Sequence, residues 1–158
     1  MTPKNYIFTN RVLAAITFLV SFIVYYDTMA PTVSYWDCGE FIAVSHTLGV
    51  PHPPGSPLYL LLGRVASMLP ISKDIAFRVN LLSPIVSAFS VLFLYLIIVQ
   101  LVNNWRGRIS SNADALIVFG SGIIGSMTFA FTDSHWFNAV EAEVYAFSTF
   151  FTAIVVWL

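Results

Sequence analysis

Long apolar runs alternate with short polar segments along the whole chain. The first run extends from Val12 to about Ala30, the second from Leu81 to Val102, the third from Ala115 to Phe131, and another begins at Val144 and is still apolar at Leu158. A helix needs roughly 20 apolar residues to cross a bilayer. Spans are therefore predicted at about 12–30, 81–102, 115–131 and 144–158, with outer loops at 31–80 and 132–143. Because the last run has no flanking charge or turn signal, the chain reads as the front of a longer protein. A basic start followed by an apolar stretch also describes a cleaved signal peptide, and Thr28-Met29-Ala30 offers a cleavage-like site. Pro31 directly after it and the length of the run favour an uncleaved first span.

Finer patterning predicts shorter elements inside the first loop. Phe41, Val44, Ser45 and Leu48 recur at helical spacing, which predicts a surface helix over Cys38 to Leu48. Leu58 to Leu69 is apolar but only about half a span long and contains Arg64, as an interfacial or re-entrant helix would. Pro70 ends it. Pro84 sits near the start of the second span, where a missing backbone donor matters little. Gly120, Gly122 and Gly125 thin one face of the third span for close helix contact.

Composition confirms the class. The chain is 58% hydrophobic and 9% charged, and its mean hydropathy is +0.80: an all-α, polytopic membrane bundle is expected. A formal net charge of -1 gives no basic character, so nucleic acid is excluded as a partner. The single cysteine, Cys38, permits no internal disulfide and no tetrahedral zinc set of Cys and His. Positive residues prefer the cytoplasmic side, which places Lys4, Arg11, Arg106 and Arg108 inside and Lys73 and Arg78 outside, with Arg64 near the outer interface. Were Leu58 to Leu69 to cross, the charge count would be nearly as good; segment length decides. In the accepted topology seven of the eight acids (Asp27, Asp37, Glu40, Asp74, Asp133, Glu141, Glu143) and His46, His52 and His135 lie outside. Asp114 is the inner acid.

Candidate chemistry therefore faces outward. Asp37 and Glu40 stand at i and i+3, so in a helix both carboxylates point to one side, and one held partly desolvated would serve as a general base. Trp36, Phe41 and Ile42 flank the pair and argue for a buried setting; ordinary solvated loop acids are the competing account. Pro51-His52-Pro53-Pro54-Gly55 predicts a stiff, extended segment that presents His52, or else a rigid turn in which His52 caps the next helix. Arg64, Lys73 and Arg78 are the outer cations available to an anionic lipid headgroup, with interfacial snorkelling as the alternative. Glu143 lies near a helix start, where capping accounts for it. Glu141 and Tyr145 would share a helical face pointing at a cavity.

Taken together, Trp36-Asp37-Cys38-Gly39-Glu40, His52-Pro53-Pro54-Gly55-Ser56-Pro57-Leu58-Tyr59 and Ala142-Glu143-Val144-Tyr145-Ala146 resemble the N-terminal part of the DUF2723 family, which includes the TMEM260-type protein O-mannosyltransferases. More broadly the chain is similar to membrane glycosyltransferases of the GT-C fold. The resemblance implies an enzyme that takes a hexose such as mannose from a polyprenyl-phosphate carrier. It would pass the sugar, with inversion, to a protein Ser or Thr, or another acceptor hydroxyl on a protein or glycan, at the outer face. It implies Asp37 as the base, although the local sequence does not separate Asp37 from Glu40. Glu40 and His52 would shape the site, Arg64 or Arg78 would hold the phosphate, and Pro54, Tyr59, Glu141, Glu143 and Tyr145 would line it. Cys38 departs from the pattern, where a small residue such as serine is expected.

A bacterial inner membrane with a periplasmic site is expected, or the endoplasmic reticulum membrane in a eukaryote, with membrane lipids as further partners. The acids lack the close linear spacing of a clear metal site, so no metal or other cofactor is expected, a divalent ion being left open. The competing functions are a transporter or flippase, which would require acids at membrane depth, and a non-catalytic assembly subunit using the Gly-rich span.

Overall fold

The computed structural model describes residues 3–107 and 111–158. Arg108 lies outside the described residues, as does the side chain of Lys4, so their predicted inner placement has no structural counterpart here. The described residues form eight helices and no strand: α1 (Pro3–Thr28), α2 (Cys38–Thr47), α3 (Pro57–Met68), α4 (Ile75–Asn80), α5 (Leu82–Arg106), α6 (Asn112–Ala130), α7 (Asp133–Ala139) and α8 (Val144–Trp157). Segments 5–28, 75–106 and 112–130 are long and apolar enough to cross a membrane. The pair α7 and α8, bent by 112°, makes up to one more. The chain is an integral membrane protein of the all-α class.

α5 is the axis of the bundle, packed against α1, α6 and α8. Small residues permit the close approach. On α1 the buried stripe is Ala14, Thr17, Ser21 and Tyr25, and its hydroxyls are satisfied inside the helix, Thr17 Oγ1 donating to the Ala14 carbonyl at 2.8 Å and Ser21 Oγ to that of Thr17 at 2.9 Å. On α6 a Cβ at Gly122 would come within 2.7 Å of Val99 and 2.8 Å of the Tyr95 ring, and one at Gly125 within 2.7 Å of Ile98. Gly120 differs from expectation: its Cβ direction is open, since it lies off the face that meets α5.

Several boundaries also move. α1 starts well before Val12, because Asn5 to Arg11 still carries Tyr6, Ile7 and Phe8 and nothing in it breaks a helix. α3 opens with Pro57, which is pre-set for a first helical position. It stops at Met68 because Leu69, forced extended before Pro70, cannot continue it. At 12 residues it is no span, as its length required. The loop predicted over 132–143 contains α7, too short at seven residues to leave a periodic signal.

Two sets of contacts fix the ends of the bundle. At one end Arg106 Nη2 donates to Asp114 Oδ1 at 2.8 Å, and Asp114 also closes a capping box with Ser111 at the start of α6. At the other end Tyr25 donates to the Ala130 carbonyl at 2.8 Å. There the fully buried Asn80 amide donates to the carbonyls of Ala30 and Thr32, both at 2.9 Å. The Ala30 amide in turn donates to the Val140 carbonyl at 2.8 Å. The segment after α1 is thus stitched to α4 and to the segment before α8.

The glycines give a direct test of the packing. Gly122→Ala should destabilise the protein by about 1–3 kcal/mol through overpacking, whereas Gly120→Ala should be neutral or slightly stabilising through helix propensity. Thermal unfolding in detergent checks this, and equal losses at both positions would contradict it.

Candidate active site

The site is built where α2 begins. Trp36, with φ of 60°, turns the chain sharply and leaves Asp37 at the N-cap of α2. The Asp37 side chain makes no capping hydrogen bond, so its carboxylate is free for other work. One turn on, Cys38, Phe41, Ile42 and Ser45 face inward, and Glu40 is left on the outer side. Of the two readings, that of solvated loop acids holds for Asp37, whose side chain is 59% exposed, while that of Glu40 is 37% exposed; Trp36 is 85% exposed. The aromatic neighbours do not cover the acids, because Phe41 and Ile42 lie on the opposite face of the helix and Trp36 points outward, as interfacial tryptophans do.

His52 completes the group. Its segment is a turn, with Gly55 N–H donating to the His52 carbonyl at 3.0 Å and Gly55 at φ 80°, so the extended reading is corrected. Prolines at positions 53 and 54 with a glycine after them favour the reversal. His52 caps no helix. Its backbone N–H donates to Glu40 Oε1 at 2.8 Å and its Nδ1 lies 2.6 Å from Glu40 Oε2. An ionised carboxylate only accepts, so Nδ1 carries the proton and Nε2 is turned toward Asp37, with 4.0 Å between Nε2 and Oδ2. One imidazole is bracketed by two carboxylates.

The electrostatics follow from that bracket. The side-chain and backbone hydrogen bonds from His52 hold Glu40 below its ordinary value of 4.5. The hydrogen bond to Glu40 raises His52 above its ordinary 6.5, with the charges of Asp37 and Glu143 adding to it and desolvation opposing. The Glu40 half of the pairing is present above about 4.5 and lost as pH falls through the lowered value. The His52 half is complete below about 6.5 and lost as pH rises through the raised value. The ion pair therefore spans mildly acid to near-neutral pH.

The buried acids are elsewhere. Residues 140–143 between α7 and α8 pass beneath α2, with Ala142 fully buried in a cluster with Cys38, Ile42, Ala76 and Val79. On either side of it Glu141 and Glu143 are only 5% and 7% exposed. Ser34 Oγ donates to Glu141 Oε2 at 2.6 Å, and the Cys38 thiol to Glu143 Oε1 at 3.7 Å. Burial, and then the charge of Glu141, raises Glu143. Burial, with the charges of Glu141 and Glu143, pushes the Cys38 thiol up to about 12 despite a hydrogen bond with Ser34. Cys38 is thus a neutral thiol wedged against carboxylates.

Other predicted site residues are distributed differently. Tyr59 is buried between the rings of Phe41 and Phe147, under the same cluster. Pro54 is exposed at the turn. Arg64 and Arg78 are not in the Asp37 group: Arg64 Nη1 donates to the His46 carbonyl, and Arg78 to the carbonyls of Ser67 and Lys73. They tie α3 to α2 and α4. Tyr145 is 61% exposed, and no helical face joins it to Glu141, because α8 starts only at Val144. Glu143 occupies the N-cap position of α8, where the Val144 N–H at the helix start favours its charged form, although no full side-chain capping bond closes. His135 is buried against Phe129 and Tyr25. Ser34 and Cys38 as partners of the buried acids were missed, since residues so distant in sequence leave no linear signal.

All described acids lie at helix ends or in connecting segments, away from the middles of the three long helices. An all-helical membrane protein with an acid–imidazole–acid group at one end of its bundle is the class defined. Residues 37–158 match the family described as protein O-mannosyl-transferase TMEM260 N-terminal domain, and the chain belongs to that family. It is 30% identical over 144 residues to the protein O-mannosyl-transferase tmem260 of Dictyostelium discoideum, covering 89% of this chain and 16% of that relative. It is also 30% identical over 122 residues to the protein O-mannosyl-transferase TMEM260 of Mus musculus, covering 77% of this chain and 15% of that one. The chain thus spans about a sixth of the length of these curated relatives. No solved structure matches it.

In a protonation titration followed by NMR, His52 should show a midpoint above 6.5, and Glu40→Gln should lower it. An unchanged midpoint in the variant would show that the Glu40 contact does not form in solution.

Proposed function

We propose that this chain is the catalytic front of a protein O-mannosyltransferase of GT-C architecture, moving mannose from a polyprenyl-phosphate carrier to a Ser or Thr hydroxyl. The bracketed imidazole is the observation that carries this reading, with the printed names of the two relatives in support. Orientation follows the positive-inside preference of Arg11 and Arg106. The site then faces the endoplasmic reticulum lumen in a eukaryote or the periplasm in a bacterium.

Asp37 is the base. Both oxygens of Glu40 already accept from His52, whereas the Asp37 carboxylate is open to an incoming hydroxyl. Asp37 takes the hydroxyl proton as that oxygen bonds to the anomeric carbon, and the bond from that carbon to the carrier phosphate breaks, the phosphate keeping the electron pair. Glu40 and His52 are positioning residues: Glu40 fixes the ring, and the ring's Nε2 faces the Asp37 carboxylate across 4.0 Å. Lipid phosphate approaches from the membrane side, where exposed Tyr35 and Trp36 mark the interface.

Asp37→Asn should lower sugar transfer by the full-length protein by about 10²–10⁴-fold, the range for loss of a general base, while expression and thermal stability stay unchanged. Transfer from a radiolabelled polyprenyl-phosphate mannose to an acceptor peptide measures it, and wild-type rates in Asp37→Asn would remove Asp37 from the chemistry.

A further inference from the structure

Cys38, Glu141 and Glu143 have no part in the proton transfer above, and they are not a satisfied cluster. One ligand-type atom from each lies within 4.8 Å of the others, all three residues being buried. Glu141 Oε1 has no hydrogen-bond partner, although its companion oxygen is held by Ser34. The residue that carries this unpartnered oxygen is itself only 5% exposed. Buried polar atoms are nearly always paired, so an orphaned carboxylate oxygen beside a thiol and a second carboxylate calls for something between them.

The spacing fits a metal ion. Tetrahedral coordination with metal–sulfur and metal–oxygen bonds of about 2.3 and 2.1 Å separates S and O ligands by about 3.6 Å. Cys38 Sγ and Glu143 Oε1 are 3.7 Å apart. We propose that Cys38, Glu141 and Glu143 bind a divalent cation of borderline softness, Zn2+ foremost. A thiolate in the set disfavours Mg2+ and Ca2+, which take oxygen ligands. Sulfur coordinates as its proton leaves to solvent, and the 2+ ion then offsets two of the three ligand charges.

Two linear facts hid this site. Cys38 and Glu143 are 105 residues apart, and the sequence expectation of no metal considered acids close along the chain. Bound there, the ion fastens the first turn of α2 to the segment before α8 and so steadies Asp37, the neighbour of Cys38. The proposal does not depend on the transfer reaction.

Full-length protein in detergent, stripped with chelator, is titrated with Co2+ and then challenged with Zn2+. A Cys38-dependent thiolate-to-Co2+ charge-transfer band should appear at one equivalent and disappear on Zn2+ addition. Cys38→Ser should abolish the band, and Glu143→Gln should keep it while weakening Co2+ binding by roughly tenfold or more, at least the loss seen for outer partners of a metal. If Cys38→Ser does not fold, Glu143→Gln alone decides, and unchanged affinity overturns the proposal. So does a titration without any thiolate band, or a band intact in folded Cys38→Ser. Co2+ binding lost in His52→Ala but kept in Cys38→Ser would put the ion at the surface group and equally overturn it.

Discussion

The structure turns on carboxylates held out of water where two connecting segments cross. Residues 140–143 run under α2 with Ala142 in the core, which forces the side chains on either side of it toward Ser34 and Cys38. Burying an ionisable group is costly unless it is hydrogen-bonded or neutralised. The protein meets that cost with a serine hydroxyl at 2.6 Å, a thiol at 3.7 Å and a raised Glu143. Because Ser34 and Cys38 flank Asp37, whatever holds the acids also holds the first turn of α2.

Two layers result, with opposite chemistry. Below lie Cys38, Glu141 and Glu143, closed from solvent, with one Glu141 oxygen short of a partner. Above lie Asp37, Glu40 and His52, open and ion-paired. They are coupled, since the charge of Glu143 adds to the shift of His52 and that of Asp37 to the shift of Glu143. The scaffold beneath is ordinary membrane-helix packing, in which α5 is approached closely through Ser21, Gly122 and Gly125. Asn80 joins the two, because its amide fastens the segment after α1 to the end of α4.

What was legible in the sequence is what has a short range. Apolar run length found the three long helices and kept α3 from being read as a span. Helical spacing found α2 to within a residue of its end. Spacing at i and i+3 correctly put Asp37 and Glu40 on the side where His52 lies. Burial stayed undecided because it depends on which face of α2 meets the bundle: aromatic neighbours in sequence covered the inward face and left the acids open. Glu141 and Glu143, read as loop acids or a cap, are buried by a crossing that no local pattern encodes. Arg64 and Arg78 were free cations in the sequence, but backbone carbonyls at helix ends claim them in the fold.

The crossing itself is tested most directly by a double-mutant cycle on thermal stability in detergent, with Ser34→Ala, Glu141→Gln and the pair. A hydrogen bond from Ser34 to a buried carboxylate should give a coupling of about 1–3 kcal/mol. Additivity to within about 0.5 kcal/mol would mean that the two segments do not meet as described, and the layered site would fall with them.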